Sequence, residues 1–134
     1  MKVSTILVPT DFSDDASEAL STANEFAKLF EARIVVLHSY HVDIPLVSPM
    51  AGGYALPQGF YEELRSSATA QVDEIAEKLR AGGIDATGVV TQEPAALAVV
   101  AEAEKLPADL IVMGTRGRTG LSPSESCARL RARF

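Results

Sequence analysis

The sequence of 134 residues has little of what marks secreted, disulfide-bonded or membrane-spanning proteins. Its one cysteine, Cys127, excludes an intramolecular disulfide and fits a reducing compartment. The amino-terminal residues carry no long apolar segment before Pro9, so they do not resemble a signal peptide. No apolar run approaches the roughly 20 residues needed to span a bilayer. These absences predict a cytoplasmic protein with no membrane partner.

Basic residues are also scarce, and they are unevenly placed. The formal net charge is −6 at pH 7 and the pI is about 4.8, which argues against a general nucleic-acid-binding surface. Five of the twelve basic residues nevertheless fall near the carboxyl end of the chain: Arg116, Arg118, Arg129, Arg131 and Arg133. This distribution is typical of an acidic body with a phosphate-binding end, and equally of an atypical tail.

What the chain does have is a regular alternation of strand and helix patterns. Apolar runs predict strands at residues 3–8, 33–38 and 110–113, and a loosely alternating pattern predicts a further strand at 84–91. Helices are predicted after Ser13 as N-cap, from about 60 to 80, and from Pro94 onward. The last of these has four residues predicted to face inward, namely Ala96, Val99, Val100 and Ala103. The alternation predicts an α/β fold with a parallel sheet covered by helices, as one domain over residues 1–134.

A glycine-rich, basic segment follows the fourth predicted strand. Gly114, Gly117 and Gly120 would let backbone N–H groups approach a ligand closely, while Arg116 and Arg118 supply positive charge. Proteins of the α/β class hold phosphates in this way at the carboxyl ends of their strands. The segment is not a P-loop, because no Gly-Lys-Ser/Thr ends it. The alternative is a flexible connection between a strand and a helix.

Other candidate residues have structural alternatives. Asp11 is either a ligand-binding carboxylate or a capping carboxylate near Ser13, and one carboxylate can do both. We interpret His38 as a packed or backbone-bonded histidine, and without a third ligand it makes a poor metal site with His41. Residues 40–58, rich in proline and glycine, are interpreted as a long mobile loop that serves as a lid or an interface.

Three segments together resemble the universal stress protein family. They are Val8-Pro9-Thr10-Asp11, Val36-Leu37-His38-Ser39 and the stretch Met113-Gly-Thr-Arg-Gly-Arg-Thr-Gly-Leu-Ser122, each at the end of a predicted strand. The resemblance covers roughly residues 1 to 122. Residues 113–134 comprise the glycine-rich segment and a tail, and we interpret the tail after Ser122 as an atypical or truncated carboxyl terminus. The resemblance implies a Rossmann-like fold of the adenine nucleotide alpha hydrolase-like type. In one subclass of the family it also implies binding of ATP at the carboxyl edge of the sheet.

The resemblance assigns a role to each matching position. Asp11 would accept hydrogen bonds from the ribose hydroxyls or lie beside the adenine, and Pro9 and Thr10 would wall the base. The backbone at Ser39 and Met113 would read the edge of the adenine. The residues that would wrap the ribose and phosphates are Gly114, Thr115, Arg116, Gly117, Arg118, Thr119 and Gly120. The implied ligand is ATP, with Mg²⁺, or AMP, and no redox cofactor is expected.

The chain departs from the family pattern after the glycine-rich segment. The ATP-binding subclass has Gly-x-x-Gly, nine residues, and then Gly-Ser or Gly-Thr, whereas here Cys127-Ala128 stands at the second position. The second half of the phosphate cradle is therefore predicted to be absent. The sequence pattern also predicts no counterpart of the family's final strand, which would leave the strand at 110–113 at an open apolar edge. An open edge predicts a homodimer or a higher oligomer.

Three classes of function follow from these observations. The first is an adenine-nucleotide-binding module of the stress response with a compromised triphosphate site. The second is a protein-interaction or dimerisation module of the same fold that binds no nucleotide. The third is an enzyme, at best a slow ATPase, and it is the weakest because the sequence offers no base poised over a phosphate chain and no Mg²⁺-binding pair beyond Asp11.

Overall fold

Three helices and five strands make up the described parts of the computed structural model, which cover residues 2–42, 58–114 and, for the backbone alone, 129–132. In chain order the elements are β1 (Thr5–Pro9), α1 (Asp14–Phe30), β2 (Arg33–Ser39), α2 (Phe60–Ala81), β3 (Ala86–Thr91), α3 (Ala95–Lys105), β4 (Leu110–Met113) and β5 (Arg129–Ala132). The alternation predicted from the sequence is confirmed for the first seven of them.

The strands form one sheet in the order β3-β2-β1-β4-β5. The first four strands run parallel, with β1 in the centre: Leu7 pairs with Val35 of β2 on one side and with Ile111 of β4 on the other. All four carboxyl ends therefore lie at the same edge of the sheet. The α/β fold class with a parallel sheet is confirmed.

The two faces of the sheet are buried by different helices. Alternate side chains of β2 point to opposite faces, so Ile34 and Val36 pack in the cluster that includes α1 and α2, while Val35 and Leu37 pack with α3. All four are at most 2% exposed. Burial on both faces explains why β1 and β2 read as continuous apolar runs rather than as alternating ones.

Helix α1 begins as predicted at its cap. The Ser13 hydroxyl oxygen accepts a hydrogen bond from the Ala16 amide, with Ser13 itself in extended backbone geometry. The face toward the sheet carries four small buried residues, which bring the helix close to the strands: Ala16, Ala19, Ala23 and Ala27. The amino terminus of α1 is consequently fixed beside the carboxyl end of β1.

The inner face predicted for α3 is partly wrong. Ala98 and Ala103 are buried, but Ala96 is exposed and Val100 is 52% exposed. Because this helix is apolar on most of its circumference, the sequence contains two overlapping stripes at helical spacing. The sheet selects the stripe that includes Val99, rotated by about one residue from the predicted one.

The structure also corrects the prediction about the edge of the sheet. The sequence predicts no strand after β4, whereas β5 pairs with it antiparallel, from Leu110 opposite Ala132 to Met113 opposite Arg129. The pattern Arg-Leu-Arg-Ala is short and half charged, a composition that an edge strand tolerates and a buried parallel strand does not. The backbone of β4 is therefore paired on both sides, so β4 has no open edge through which copies of the chain could pair.

Within residues 2–42 and 58–114, no helix is both long enough and apolar enough to cross a membrane.

Candidate functional site

The candidate site is the edge where β1, β2 and β4 end. The register places Leu7 opposite Ile111 and Pro9 opposite Leu37, so the last residues of the three strands come level with one another. Six of the residues singled out in the sequence are brought together there: Pro9, Thr10, Asp11, Ser39, Met113 and Gly114. All of them are buried or partly buried.

Thr10 is held firmly in the sheet just beyond β1. Its amide donates to the Leu37 carbonyl oxygen at 2.8 Å, which extends the β1–β2 ladder by one bond. Its hydroxyl oxygen accepts from the Phe12 amide at 3.1 Å, and the residue is only 7% exposed. Thr10 therefore fixes the start of the turn between β1 and α1.

Asp11 lies at the centre of that turn. One carboxylate oxygen, Oδ1, accepts a hydrogen bond from the Ser13 amide at 3.0 Å. The carboxylate thus orders Ser13, the residue that caps α1. This corresponds to the capping role that is the structural alternative for Asp11. A carboxylate has about four acceptor positions, so a capping bond and a ligand bond are chemically compatible. Both interpretations of Asp11 are compatible with its geometry.

His38 and Phe12 pack together behind the turn. His38 Nδ1 lies 2.8 Å from the Thr10 carbonyl oxygen, which confirms the prediction of a backbone-bonded histidine. The Phe12 ring lies against the imidazole with centroids 4.3 Å apart and an interplanar angle of 34°. Phe12 has φ +66°, in the left-handed region. The residue type does not indicate this conformation, because a bulky non-glycine residue rarely adopts it.

Ser39 joins the end of β2 to the connection between β3 and α3. Its hydroxyl donates to the Glu93 carbonyl oxygen and accepts from the His41 amide at 3.3 Å. The adjoining Tyr40 amide donates to the Thr91 carbonyl oxygen at 2.9 Å. The Ser39 hydroxyl thus has a structural use. The predicted ligand contact concerns the Ser39 backbone and stays a prediction.

Gly114 allows β4 to end in close contact with α1. A Cβ at this position would lie 3.0 Å from the carbonyl carbon and oxygen of Asp15, a backbone that cannot easily move aside. The glycine was singled out for close approach to a ligand, and the structure adds close approach to the first turn of a helix. The remaining predicted site residues lie outside the described residues: Thr115, Arg116, Gly117, Arg118, Thr119 and Gly120. So do Cys127-Ala128 and most of the predicted loop at 40–58.

A separate groove of about 670 Å³ lies at the opposite, amino edge of the sheet. Its charged walls mix both signs, with Lys28 and Arg33 beside Glu31 and Asp85. The Arg33 Nε already donates to the Thr5 hydroxyl oxygen at 3.0 Å. The groove therefore has no charge of one sign for a ligand, and it is remote from the strand ends that carry the sequence motifs.

Comparison with known proteins adds independent evidence on ancestry. A sequence model of the universal stress protein family matches residues 2–125. A universal stress protein of Methanocaldococcus jannaschii is 37% identical over 118 residues, an alignment that covers 87% of this chain and 66% of that relative. A universal stress protein of Thermus aquaticus is 36% identical over 119 residues, with coverage of 84% and 77%.

The fold comparison agrees with the sequence comparison. The crystal structure of a universal stress protein family member from Burkholderia pseudomallei superimposes with a TM-score of 0.65 at 28% identity, covering 84% of this chain and 82% of that one. The motifs at the ends of β1, β2 and β4, the order of the sheet and the matched range of residues all point the same way. The chain belongs to the universal stress protein family.

Proposed function

We propose that this chain is an adenine-nucleotide-binding module of the stress response, with its site at the carboxyl edge of the sheet. The observation that carries the proposal is the convergence of Asp11, Ser39 and Met113–Gly114 around one rigid turn. A partly buried carboxylate suits the vicinal hydroxyls of a ribose. Backbone amides and carbonyls at the strand ends suit the polar edge of an adenine. These residues fit the adenosine part of a nucleotide.

Solved relatives support this proposal at the level of the fold. A universal stress protein was crystallised in complex with cAMP and has a TM-score of 0.61 with this chain at 22% identity. A universal stress protein from Archaeoglobus fulgidus, solved in complex with dAMP, has a TM-score of 0.58 at 23% identity. Both ligands contain an adenine, but neither has the free vicinal hydroxyls of a ribose, since dAMP lacks the 2′-hydroxyl and the 3′-oxygen of cAMP is esterified. They therefore support the adenine part of the proposed site.

The phosphates are the weaker part of the proposed site. Gly114 and the six residues after it, 115–120, supply the backbone that would wrap the ribose and phosphates, with Arg116 and Arg118 as their positive charges. The sequence lacks the second glycine motif and has Cys127-Ala128 in its place. Mg²⁺ would be held chiefly by phosphate and water, which is its usual mode of binding. The proposed site therefore gains little affinity from a triphosphate.

The first test is calorimetric titration of the 134-residue chain with Mg-ATP, AMP and adenosine. We expect all three to bind, with dissociation constants within about threefold of one another, a free-energy difference under about 0.7 kcal/mol. Mg-ATP binding much more tightly than adenosine would show that arginines supply a working phosphate site and would contradict the compromised triphosphate site. Absence of binding by all three would contradict nucleotide binding itself.

The residue-level test replaces Asp11 with alanine. We expect D11A to weaken ATP, AMP and adenosine alike by about tenfold or more, because all three share the ribose that the carboxylate would hold. Asp14 is the matched control, since it is an exposed aspartate three residues away in the first turn of α1. D14A removes the same charge and should leave all three affinities unchanged. A loss confined to ATP in D11A would contradict the assignment of Asp11 to the ribose.

The second candidate function is a protein-interaction module, and it is favoured by the outer face of α3. Leu97 is 64% exposed and Val100 is 52% exposed on neighbouring turns of this helix. A homodimer or higher oligomer stays a prediction, which sedimentation velocity tests. A monomer at high concentration would contradict it. If nucleotides fail to bind and the chain self-associates, this function replaces the first.

A further inference from the structure

The turn that carries Asp11 is held by hydrogen bonds to β2 as well as by hydrogen bonds within the turn. Thr10 uses every polar group it has: its amide donates to Leu37, its hydroxyl accepts from Phe12, and its carbonyl accepts from His38. Two of these three bonds cross from β1 to β2. The residue immediately before Asp11 therefore cannot rotate its peptide planes without breaking contacts to the neighbouring strand.

The contact from His38 defines the state of its imidazole. A carbonyl oxygen can only accept a hydrogen bond, so the Nδ1 that lies 2.8 Å from the Thr10 carbonyl oxygen carries the hydrogen. The neutral ring is accordingly the Nδ1–H tautomer, which is fixed by the hydrogen bond that Nδ1 donates to the Thr10 carbonyl oxygen. The same ring packs against Phe12 with its centroid 4.3 Å away. One side chain thus touches the residues on both sides of Asp11.

Phe12 needs such support because its backbone is strained. Its φ of +66° is a conformation that costs a non-glycine residue free energy, and in folded proteins such residues persist where their surroundings hold them. The aromatic side chain also packs against the buried core cluster under α1 and α2. The left-handed geometry at Phe12 turns the chain sharply between Asp11 and the cap of α1.

We propose that His38 and Phe12 are a positioning pair, which fixes the turn on both sides of Asp11 and thereby aims its carboxylate. Both would act through Asp11 and not by contacting the ligand themselves. The consequence for affinity rests on the proposed function, whereas the consequence for the geometry of the turn does not. Any adenine nucleotide or nucleoside that uses Asp11 depends on this pair.

Two nearly isosteric substitutions separate positioning from bulk packing. His38→Asn places an amide N–H close to where Nδ1 stands and keeps the bond to the Thr10 carbonyl. His38→Gln carries its amide one methylene further and lies closer to the Nε2 position, so it loses that bond. The chain offers a simple spectroscopic readout, since His38 and His41 are its only histidines. In wild type, ¹H–¹⁵N correlation of the imidazoles should show His38 as the Nδ1–H tautomer.

The ligand-free readout is hydrogen exchange at the Phe12 and Ser13 amides. We expect these amides to stay protected in H38N and to exchange about tenfold faster in H38Q, with the Ala19 and Ala23 amides of α1 unchanged in both. Equal protection in the two variants, or an Nε2–H tautomer in wild type, would overturn the proposal. This experiment needs no nucleotide, so it decides the positioning claim even if the wild-type chain binds none.

The ligand-dependent readout is the affinity for AMP, measured where all variants are folded. We expect H38Q to bind about tenfold more weakly than wild type and H38N to bind within about threefold. Equal affinity of H38Q and wild type would overturn the link to the carboxylate.

At Phe12, F12G should have a higher midpoint of thermal unfolding than F12A, because glycine adopts a positive φ without strain while both variants lose the ring. The reverse order would show that the strain is not stored there.

Discussion

Each of the two edges of the sheet has an aspartate whose carboxylate accepts hydrogen bonds from backbone amides, and the two aspartates differ in which parts of the chain these bonds connect. At the amino edge, Asp109 Oδ2 accepts hydrogen bonds from the Ser4 amide at 2.9 Å and from the Thr5 amide at 3.0 Å. At the carboxyl edge, Asp11 Oδ1 accepts from the Ser13 amide at 3.0 Å. In each case a carboxylate receives backbone N–H groups at the end of a strand.

The difference is in what each bond joins. Asp109 lies just before β4 and reaches the start of β1 more than 100 residues earlier in the chain, and its own amide donates to the Thr5 carbonyl oxygen. The Asp11 Oδ1 bond to the Ser13 amide spans two residues within a single turn. A long-range bond forms only when the whole sheet is assembled, whereas a local bond can form and break without it. The comparison teaches that a carboxylate bonded to amides is not by itself a sign of function.

The largest effect on stability is expected at Gly114, which lies at the carboxyl edge beside the proposed site. Adding a Cβ in G114A brings it within 3.0 Å of the Asp15 backbone, so either β4 or the first turn of α1 must shift. We expect a loss of about 1–3 kcal/mol in the free energy of unfolding, which urea denaturation measures. The carboxyl edge then proves to carry stability as well as the proposed site.

The matched control for that variant is Gly82→Ala at the end of α2. A Cβ there would be 3.5 Å from the nearest atom, an ordinary contact, and its φ of −82° suits any residue. We expect no loss of stability in G82A. Equal stability of G114A and wild type would mean that close packing does not require glycine at the end of β4.

Asp109 gives the next effect and sharpens the comparison most directly. Replacing it with alanine leaves the Ser4 and Thr5 amides without their acceptor, the first of them exposed to water, and we expect a loss of about 1–2 kcal/mol of stability. Affinity for AMP should not change, because this edge is remote from the candidate site. D11A should show the opposite behaviour, with a loss of affinity and under about 1 kcal/mol of stability. Parallel losses in both variants would break the distinction between the edges.

The sequence predicted the parallel sheet because its strongest signals are physical necessities of that fold. Continuous apolar runs such as the one at 33–38 are needed wherever a strand is buried on both faces. The stripe on α3 and the strand β5 escaped prediction for the opposite reason. A helix apolar on most sides does not reveal its orientation, and an edge strand with alternating arginines needs no apolar signal.

At the candidate site, the sequence located residues and missed the contacts between them. Asp11, Ser39 and Gly114 stand at strand ends, where motif and topology agree. The left-handed φ of Phe12 and its packing on His38 depend on how β1 and β2 sit side by side. Only the aromatic type of Phe12 and the position of His38 at a strand end were visible. Tertiary contacts of this kind have no periodicity, so pattern reasoning cannot find them.

Ser39 provides the smallest predicted effect and the finest test of how the carboxyl edge works. Its hydroxyl donates to the Glu93 carbonyl oxygen and accepts from the His41 amide in hydrogen bonds that are exposed to water, so S39A should cost about 0.5–1 kcal/mol of stability. Affinity for AMP should change less than about threefold, because the proposed contact uses the backbone. Ser17→Ala, at an exposed position on α1, is the control for removing a hydroxyl. If S39A abolishes AMP binding while its stability is kept, the hydroxyl itself contacts the ligand, and Ser39 joins Asp11 as a side chain committed to function.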